Sequence, residues 1–243
     1  MVMKNKLDKP FKYNLHKRAD KLYCVEMPCG YDLAMLFLRY QEYYESPNPN
    51  VKDKAFDLFE YMRWYATTNT RRYDALSHKS FSYPIDFCGF NIPSYAIRNI
   101  LVYNEYKGEL NMYDELMYDI YVRIAKDMNA QYHSEPNFKF YLIGTPKMKS
   151  STLKHEIAHG LFYLNDSYRD ECLMLIKKHL DKEQIKAFKK VLKEYHYSSS
   201  VMLDEIQAYT STGEYVHGFP SVDMAPFTKH FNKYYKQLKP HKI

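Results

Sequence analysis

Apolar residues recur along most of the chain at the three- and four-residue spacing that places them on one face of a helix. In the segment 31–46, for example, Leu33, Leu36, Phe37 and Tyr40 share one face. The same spacing, together with capping residues and turn signals, predicts most of the secondary structure. We expect helices at 31–46, 52–66, 94–106, 111–129, 167–180, 181–195, 201–212 and 224–238, and a further helix that follows the capping residues Ser150, Ser151 and Thr152 and ends near Leu164.

Short runs of aromatic and β-branched residues indicate strands at two places. The clearer one is 138–143, where the sequence FKFYLI precedes the turn signal GTP, and the other is 21–27. The stretch 67–93 lacks clear periodicity, so we expect a long loop there with room for one strand near Phe87. Long loops inside compact domains often serve as a lid or a groove wall. The pattern as a whole predicts a mainly helical α+β fold with a small sheet.

The length of 243 residues allows one large domain or one domain with a helical extension. We distinguish a mainly helical portion, 1–130, from a second portion, 131–243, which contains the clearer strand; the two could also form one continuous domain. The hydrophobic fraction is 46% and the charged fraction 26%, as in soluble globular proteins. A chain of this size can bury a core without a structural metal, so we expect any metal to be functional.

Charge and cysteine content narrow the range of partners and compartments. The net charge is +6, but the basic residues are scattered along the chain, so we do not expect a nucleic acid as the partner. No second close pair accompanies Cys24 and Cys29, which favours free thiols in a reducing compartment over a zinc knuckle. Residues 1–18 are polar, and no segment reaches the roughly 20 apolar residues of a membrane span. We expect a cytoplasmic protein, with secretion by a signal-independent route left open.

The sequence HEIAH at 155–159 carries the clearest chemistry in the chain. Two histidines at positions i and i+4 lie about 40° apart on one helix face, so the rings of His155 and His159 can converge on one ion. Zinc accepts imidazole ligands, and Glu156, which points about 100° away, can reach a zinc-bound water without becoming a ligand. The pattern therefore predicts a Zn²⁺ site with two ligands and a general base. The alternative is a pair of solvent-facing histidines on a core helix.

A catalytic zinc needs a third protein ligand and an open position. The metzincin pattern would place a glycine at 162 and a histidine at 165, but this chain has Phe162 and Asn165, which disfavours that class. His179 is a candidate, although it belongs to a lysine-rich run typical of a solvated helix face. Asp170 and Glu171 are also candidates, but they follow the motif closely and are poorly placed to fold back onto it.

Glu205 is the preferred third ligand. It lies beside Asp204 in the otherwise apolar helix 201–212, and burying such an acidic pair is costly unless it meets a cation. Ala208, one turn later, would let two helices approach each other closely. Asp204 could then hold the ring N–H of a metal-bound histidine. The alternative is that both carboxylates are solvated, as most charged side chains are.

The combination of HEIAHG at 155–160 and the helical sequence DEIQAY at 204–209 resembles the gluzincin zinc peptidases, in which a later glutamate on a second helix completes the metal site. The resemblance covers about 138–213. It implies a zincin-like metallopeptidase core, in which Glu156 takes a proton from the zinc-activated water and passes it to the leaving amine. It further implies that Tyr209 or His217 donates a hydrogen bond to the oxyanion. The strand 138–143 would be an edge strand that aligns the substrate as a further strand.

Three hypotheses of function follow. The first is a zinc metallopeptidase that hydrolyses peptide bonds in a protein or peptide substrate. The second is a zincin-fold protein that keeps the metal but has lost catalysis and acts as a binding or regulatory protein. It is motivated by the large helical portion 1–130, which the resemblance to the gluzincins does not cover. The third is a basic nucleic-acid-associated protein that contains zinc, motivated by the net charge of +6 and the 26 tyrosines.

Overall fold

The computed structural model describes residues 11–68, 81–102, 110–129, 138–146, 151–195 and 197–243. These residues form a mixed α+β fold in which helices predominate. The strands are β1 (Asn14–Ala19), β2 (Leu22–Glu26), β3 (Phe90–Pro93), β4 (Tyr141–Thr145) and β5 (His241–Lys242). The helices are α1 (Gly30–Glu45), α2 (Leu58–Thr68), α3 (Tyr83–Asp86), α4 (Ser94–Ile97), α5 (Met112–Asp127), α6 (Ser151–Leu164), α7 (Asp166–His179), α8 (Lys182–Glu194), α9 (Met202–Thr212) and α10 (Ala225–Tyr235), with a π-helical turn at Arg98–Val102.

The strands form one sheet in the order β3-β4-β2-β1-β5. β2 and β4 pair in parallel, with Cys24 opposite Ile143, and the other neighbouring strands are antiparallel. Among the described residues, β3 and β5 are therefore the edge strands, and β4 lies inside the sheet. Because β1, β2 and β3 come from 1–130 and β4 and β5 from 131–243, the boundary that we expected at residue 130 runs through the sheet.

Alternating side chains along β2 and β4 divide the apolar residues between the two faces of the sheet. One face, with Val25 and Leu142, packs in a cluster with α1, α2 and α5. The other face, with Cys24 and Ile143, packs against α6. A third apolar cluster joins α7, α8, α9 and α10. α9 also contributes Ala208 to the cluster around α6, so the packing holds α9 against the motif helix.

The helices predicted from residue 111 onward are confirmed with small shifts at their ends. Asn111 and Asp181 begin α5 and α8 with capping boxes, and Gly213 ends α9 with a left-handed φ of 71°. Although serines occupy 198–200, the N-cap of α9 is Val201, which makes no side-chain capping hydrogen bond. Among the described residues, no helix has the length and apolar character that crossing a membrane requires.

Two predicted helices in the first portion differ from the structure. The helix expected at 52–66 begins only at Leu58, because the Asp57 side chain caps it by accepting a hydrogen bond of 2.8 Å from the backbone N–H of Glu60. The helix expected at 94–106 is a single α-helical turn followed by the π-helical turn. Its remainder, 103–106, lies outside the described residues, as do 69–80 of the expected loop and Ser150.

The expectation that 138–143 is an edge strand is wrong. β4 begins at Tyr141, continues through Thr145, and pairs with β3 on one side and β2 on the other. Its backbone hydrogen-bonding groups are therefore engaged within the sheet and cannot add a substrate strand. The edge is β3, and there the backbone N–H of Asn91 already donates to the side chain of Gln41 at 3.2 Å.

Short strands account for the remaining differences. The strand 21–27 is confirmed as Leu22–Glu26, whereas β1, which pairs with it, was not predicted. Of the β1 residues only Leu15 is fully buried, so the sequence lacks a clear apolar alternation. The strand expected near Phe87 is β3, which is four residues long and ends at Pro93. β5 has only two residues, too few for a periodic signal.

Candidate metal centre

The motif helix α6 lies between the sheet and α9. At Gly160 an added Cβ would be 2.4 Å from Leu22 Cδ1, so α6 lies as close to β2 as a glycine permits. On the other side, Ala158 and Ala208 are buried in the same apolar cluster. Their small side chains let the two helices approach each other, as we expected for Ala208. These contacts set the position of the motif side chains relative to α9.

Three predicted ligands converge where α6 packs on α9. His155 is 8% exposed, and His159 and Glu205 are 2% exposed each. Glu205 Oε2 lies 3.7 Å from His155 Nε2, and Glu205 Oε1 lies 3.5 Å from His159 Nε2. One ligand atom from each of the three residues lies within 4.8 Å of the others, so the group could hold a metal ion. The alternatives of solvent-facing histidines and a solvated Glu205 do not describe this structure.

The separations suit a single tetrahedral ion. Bonds of roughly 2.0–2.2 Å, as zinc makes to nitrogen and oxygen, put neighbouring ligand atoms about 3.4 Å apart at tetrahedral angles. The observed distances of 3.5 and 3.7 Å, which join His159 and His155 to different oxygens of Glu205, are close to that value. Glu205 Oε2 is also buried without a hydrogen-bond donor among the described residues. Such a carboxylate oxygen is costly unless a cation binds it.

Two further carboxylates face the outer nitrogens of the histidines. Asp204 Oδ1 lies 2.9 Å from His159 Nδ1, and Glu214 Oε2 lies 3.4 Å from His155 Nδ1. A carboxylate at Nδ1 favours the tautomer that carries its proton there, which leaves the Nε2 lone pair for a metal. Asp204 lies where we expected it. Glu214 was not predicted, because its only sequence feature is that it follows Gly213 at the end of α9.

The excess of carboxylates changes the acid–base behaviour of both histidines. Burial lowers the pKa of His155, but the carboxylates of Glu205 and Glu214 beside the ring outweigh burial and raise the pKa to about 9. Burial acts in the same direction on His159, yet Asp204 and Glu205 raise its pKa well above the usual value. In the absence of a cation, protons on the histidines balance the carboxylates. A divalent cation at the Nε2 atoms can replace those protons.

Glu156 lies beside the ligand group and is 5% exposed. Asn91 Nδ2 donates to Glu156 Oε2 at 2.9 Å, and the Tyr141 hydroxyl donates to Asn91 Oδ1 at 2.5 Å. Gly89 leaves space for the carboxylate, since a Cβ there would lie 2.3 Å from Glu156 Oε1. Burial raises the pKa of Glu156, which makes the carboxylate a stronger base. The sequence did not reveal Gly89, Asn91 or Tyr141 as site residues, because none of them belongs to a motif.

The two predicted oxyanion donors lie in different surroundings. The Tyr209 ring packs edge-on against the His155 ring, with centroids 4.5 Å apart, and its hydroxyl lies 3.3 Å from the hydroxyl of Tyr197. His217 is exposed in the segment that follows Gly213. The structure thus places Tyr209 at the candidate centre, whereas Glu214 is the residue of the segment after α9 that contacts a predicted ligand.

The other candidate ligands lie elsewhere. His179 is exposed at the end of α7, and Asp170 is exposed on the same helix. Glu171 faces His230 of α10 at 3.1 Å. Asn165, at the position where the metzincin pattern has a histidine, is the N-cap of α7. Among the described residues, only His155, His159 and Glu205 form a group of three or more potential metal ligands.

Another carboxyl group lies near Glu205 without belonging to the ligand group. Burial raises the pKa of Glu45 well above its usual value, and the charge of Glu205 raises it further. Its oxygen Oε1 accepts a hydrogen bond of 2.6 Å from Gln41, a neutral donor. In the metal-free protein these effects favour the neutral form of the Glu45 carboxyl group, and a cationic partner would stabilise its ionised form.

Comparisons with known proteins identify no relative of this chain. No family model, no curated protein and no solved structure matches the chain. The resemblance to the gluzincins stays a prediction that depends on the residues of α6 and α9.

Proposed function

We propose that this protein is a zinc-dependent metallopeptidase of the gluzincin type, with a zincin-like core, which hydrolyses peptide bonds in a protein or peptide substrate. The convergence of His155, His159 and Glu205 ligand atoms within 4.8 Å of one another is the observation that carries the proposal. Three protein ligands leave a fourth tetrahedral position for water or substrate, as in catalytic zinc sites. The buried carboxylate of Glu156 beside them provides the base that hydrolysis requires.

The residues of the centre have separate tasks in this mechanism. Zn²⁺, when bound, supplies Lewis acidity and lowers the pKa of a coordinated water to about 7. Glu156 accepts the proton of the attacking water and donates it to the leaving amine. Asn91 holds Oε2 of that carboxylate, which leaves Oε1 for the proton. Tyr209, packed against His155, is the preferred hydrogen-bond donor to the oxyanion.

The test compares metal content and hydrolysis in the full chain. We expect the zinc-loaded protein to cleave denatured proteins or a mixed peptide library, and a zinc chelator to abolish cleavage. Glu156→Gln should retain zinc but lose at least about 100-fold in kcat, because the general base is removed. Glu183→Gln, at an exposed position of α8, is the matched control and should cleave as the unmodified protein does.

Three outcomes separate the hypotheses. Full activity of Glu156→Gln, or hydrolysis that survives complete removal of the metal, contradicts the proposed mechanism. Zinc binding at His155, His159 and Glu205 without cleavage of any protein or peptide favours a zincin-fold binding or regulatory protein. Tight, salt-sensitive binding to DNA or RNA would instead support a nucleic-acid-associated role.

A further inference from the structure

A cavity of about 190 Å³ adjoins the candidate metal centre. Its lining includes residues of α1, α2 and α9, and it shares Tyr209 with the centre. Because the Tyr209 ring lies 4.5 Å from the ring of His155, the part of the cavity wall that Tyr209 forms borders directly on a predicted metal ligand. The cavity is therefore placed to hold a side chain next to the reacting bond.

Aromatic rings form much of the cavity wall. Tyr61 and Tyr65 are buried to all but 4% of their surface, whereas Trp64 is 37% exposed. The Tyr61 and Trp64 rings lie 5.4 Å apart, between centroids, and tilt against each other. The lining thus extends from solvent-exposed residues to buried ones. Aromatic faces attract cations, tryptophan most strongly, and they also pack well against the aliphatic stem of a lysine or arginine.

The charge of the lining favours the same class of ligand. Glu42, Glu45 and Asp86 contribute carboxyl groups, and none of the described residues that line the cavity is Lys, Arg or His. Glu45 accepts a hydrogen bond from the neutral amide of Gln41 and retains lone pairs for a second donor. A guanidinium or ammonium group would supply both the donor and the compensating charge.

We propose that this cavity is the specificity subsite of the enzyme and accepts a basic side chain, arginine or lysine, of the substrate. The inference rests on the proposed peptidase function, but binding to the cavity can be measured without catalysis. Glu45 contacts the cationic head, the aromatic wall contacts the stem, and Tyr209 separates the bound side chain from the metal ligands.

A binding experiment tests the subsite on the unmodified chain. Trp64 is the single tryptophan of the protein, so its fluorescence reports occupancy of the cavity. The probes are N-acetyl-arginine amide and N-acetyl-citrulline amide, which have similar shapes but differ in charge. We expect the arginine probe to shift the emission and to bind at least about tenfold more tightly, since hydrogen bonds to charged groups exceed neutral ones by that order. Equal affinities for the two probes would overturn the proposal.

Variants then identify the group that recognises the charge. Glu45→Gln keeps the shape of the side chain and should reduce the preference for the arginine probe to less than about threefold. Glu60→Gln removes an equal charge at an exposed position of α2 that does not line the cavity, and it should keep the full preference. If the Glu45→Gln protein folds and still binds the arginine probe tenfold more tightly, Glu45 is not the residue that recognises the positive charge.

Peptide cleavage separates this proposal from the proposed function. Three peptide series carry Arg, citrulline or Glu in turn at each position around the cleaved bond. At one of these positions, we expect kcat/KM to be highest for Arg, lower for citrulline and lowest for Glu. Cleavage without any preference for Arg would overturn the subsite while the peptidase function stands. Selective binding of the arginine probe without cleavage of any peptide would support the cation-binding cavity but contradict the proposed peptidase function.

Discussion

Asp204 Oδ1 lies 2.9 Å from His159 Nδ1, while the neighbouring residue, Glu205, reaches Nε2 of the same imidazole ring at 3.5 Å. Two consecutive residues of α9 thus contact both nitrogens of one histidine of α6. In the proposed zinc site, the first contact would orient the ring and favour the tautomer with its proton on Nδ1, and the second would supply the next ligand. The acidic pair therefore has two different tasks, which a substitution at each position can separate.

Asp204→Asn should weaken zinc binding by about 10–100-fold without abolishing it, because the carboxylate that orients His159 is lost while all three ligands remain. The dissociation constant is measured by competition with a chromophoric chelator. Asp166→Asn is the matched control, since the Asp166 side chain is 76% exposed, and its zinc affinity should not change. An unchanged affinity in Asp204→Asn would show that this carboxylate does not support the ligand.

Glu205→Gln should reduce bound zinc to a small fraction of one ion per chain after dialysis, because a neutral amide oxygen replaces the anionic ligand. Metal analysis of the purified variant measures the loss. Glu171→Gln provides the control, since Glu171 faces His230 and not the motif histidines, and it should keep its zinc. If Glu171→Gln lost the metal and Glu205→Gln kept it, the third ligand would lie elsewhere.

The metal-free protein should become less stable as the pH rises from about 6.5 to about 9. The raised pKa of His155, about 9, means that the folded state binds a proton more tightly than the unfolded state does. The resulting stabilisation is complete below the unfolded pKa near 6.5 and is lost as the pH passes through the folded value. We expect the melting temperature in a chelator to fall by at least about 3 °C over this range. A melting temperature that rises over this pH range would contradict a raised pKa of His155 in the folded state.

The same range should have the opposite effect on zinc binding. Zinc must displace the histidine protons, so its apparent affinity increases as the pH approaches 9. Proton release can be measured directly by calorimetry in buffers of different ionisation enthalpy. Zinc binding with no release of protons at pH 7 would mean that the histidines are already neutral there.

Gly89→Ala should impair catalysis more than metal binding. The added methyl group would lie 2.3 Å from Glu156 Oε1 and 2.6 Å from Thr152 Cγ2, so the base must move away from its position. Such displacement should lower kcat by about tenfold or more while zinc content stays the same. Gly30→Ala is the control, because a Cβ at Gly30 meets nothing within 4 Å. Equal kcat values for the two variants would show that the position of Glu156 tolerates this movement.

The sequence was most informative where structure depends on residues close together in the chain. Helical periodicity and caps predicted α5 to α10, whose ends agree to within a few residues. It was least informative for short strands: β1, β3 and β5 have few buried residues or few residues at all, and only pairing with neighbours defines them. For the same reason the interior position of β4 was not foreseen. Its neighbours β2 and β3 come from distant parts of the chain.

The sequence alone determined that His155, Glu156 and His159 share one helix with both imidazoles on one face, because this follows from the helical repeat within five residues. The sequence favoured Glu205 over Glu171 and His179 as the third ligand, but only the tertiary structure shows that Glu205 lies at the two histidines. The packing of α9 on α6 brings Glu205 to the histidines, and the segment after Gly213 adds Glu214. The pairing of β3 with β4 places Asn91 beside Glu156. Such contacts between distant segments depend on how whole helices and strands pack, and no local pattern encodes them.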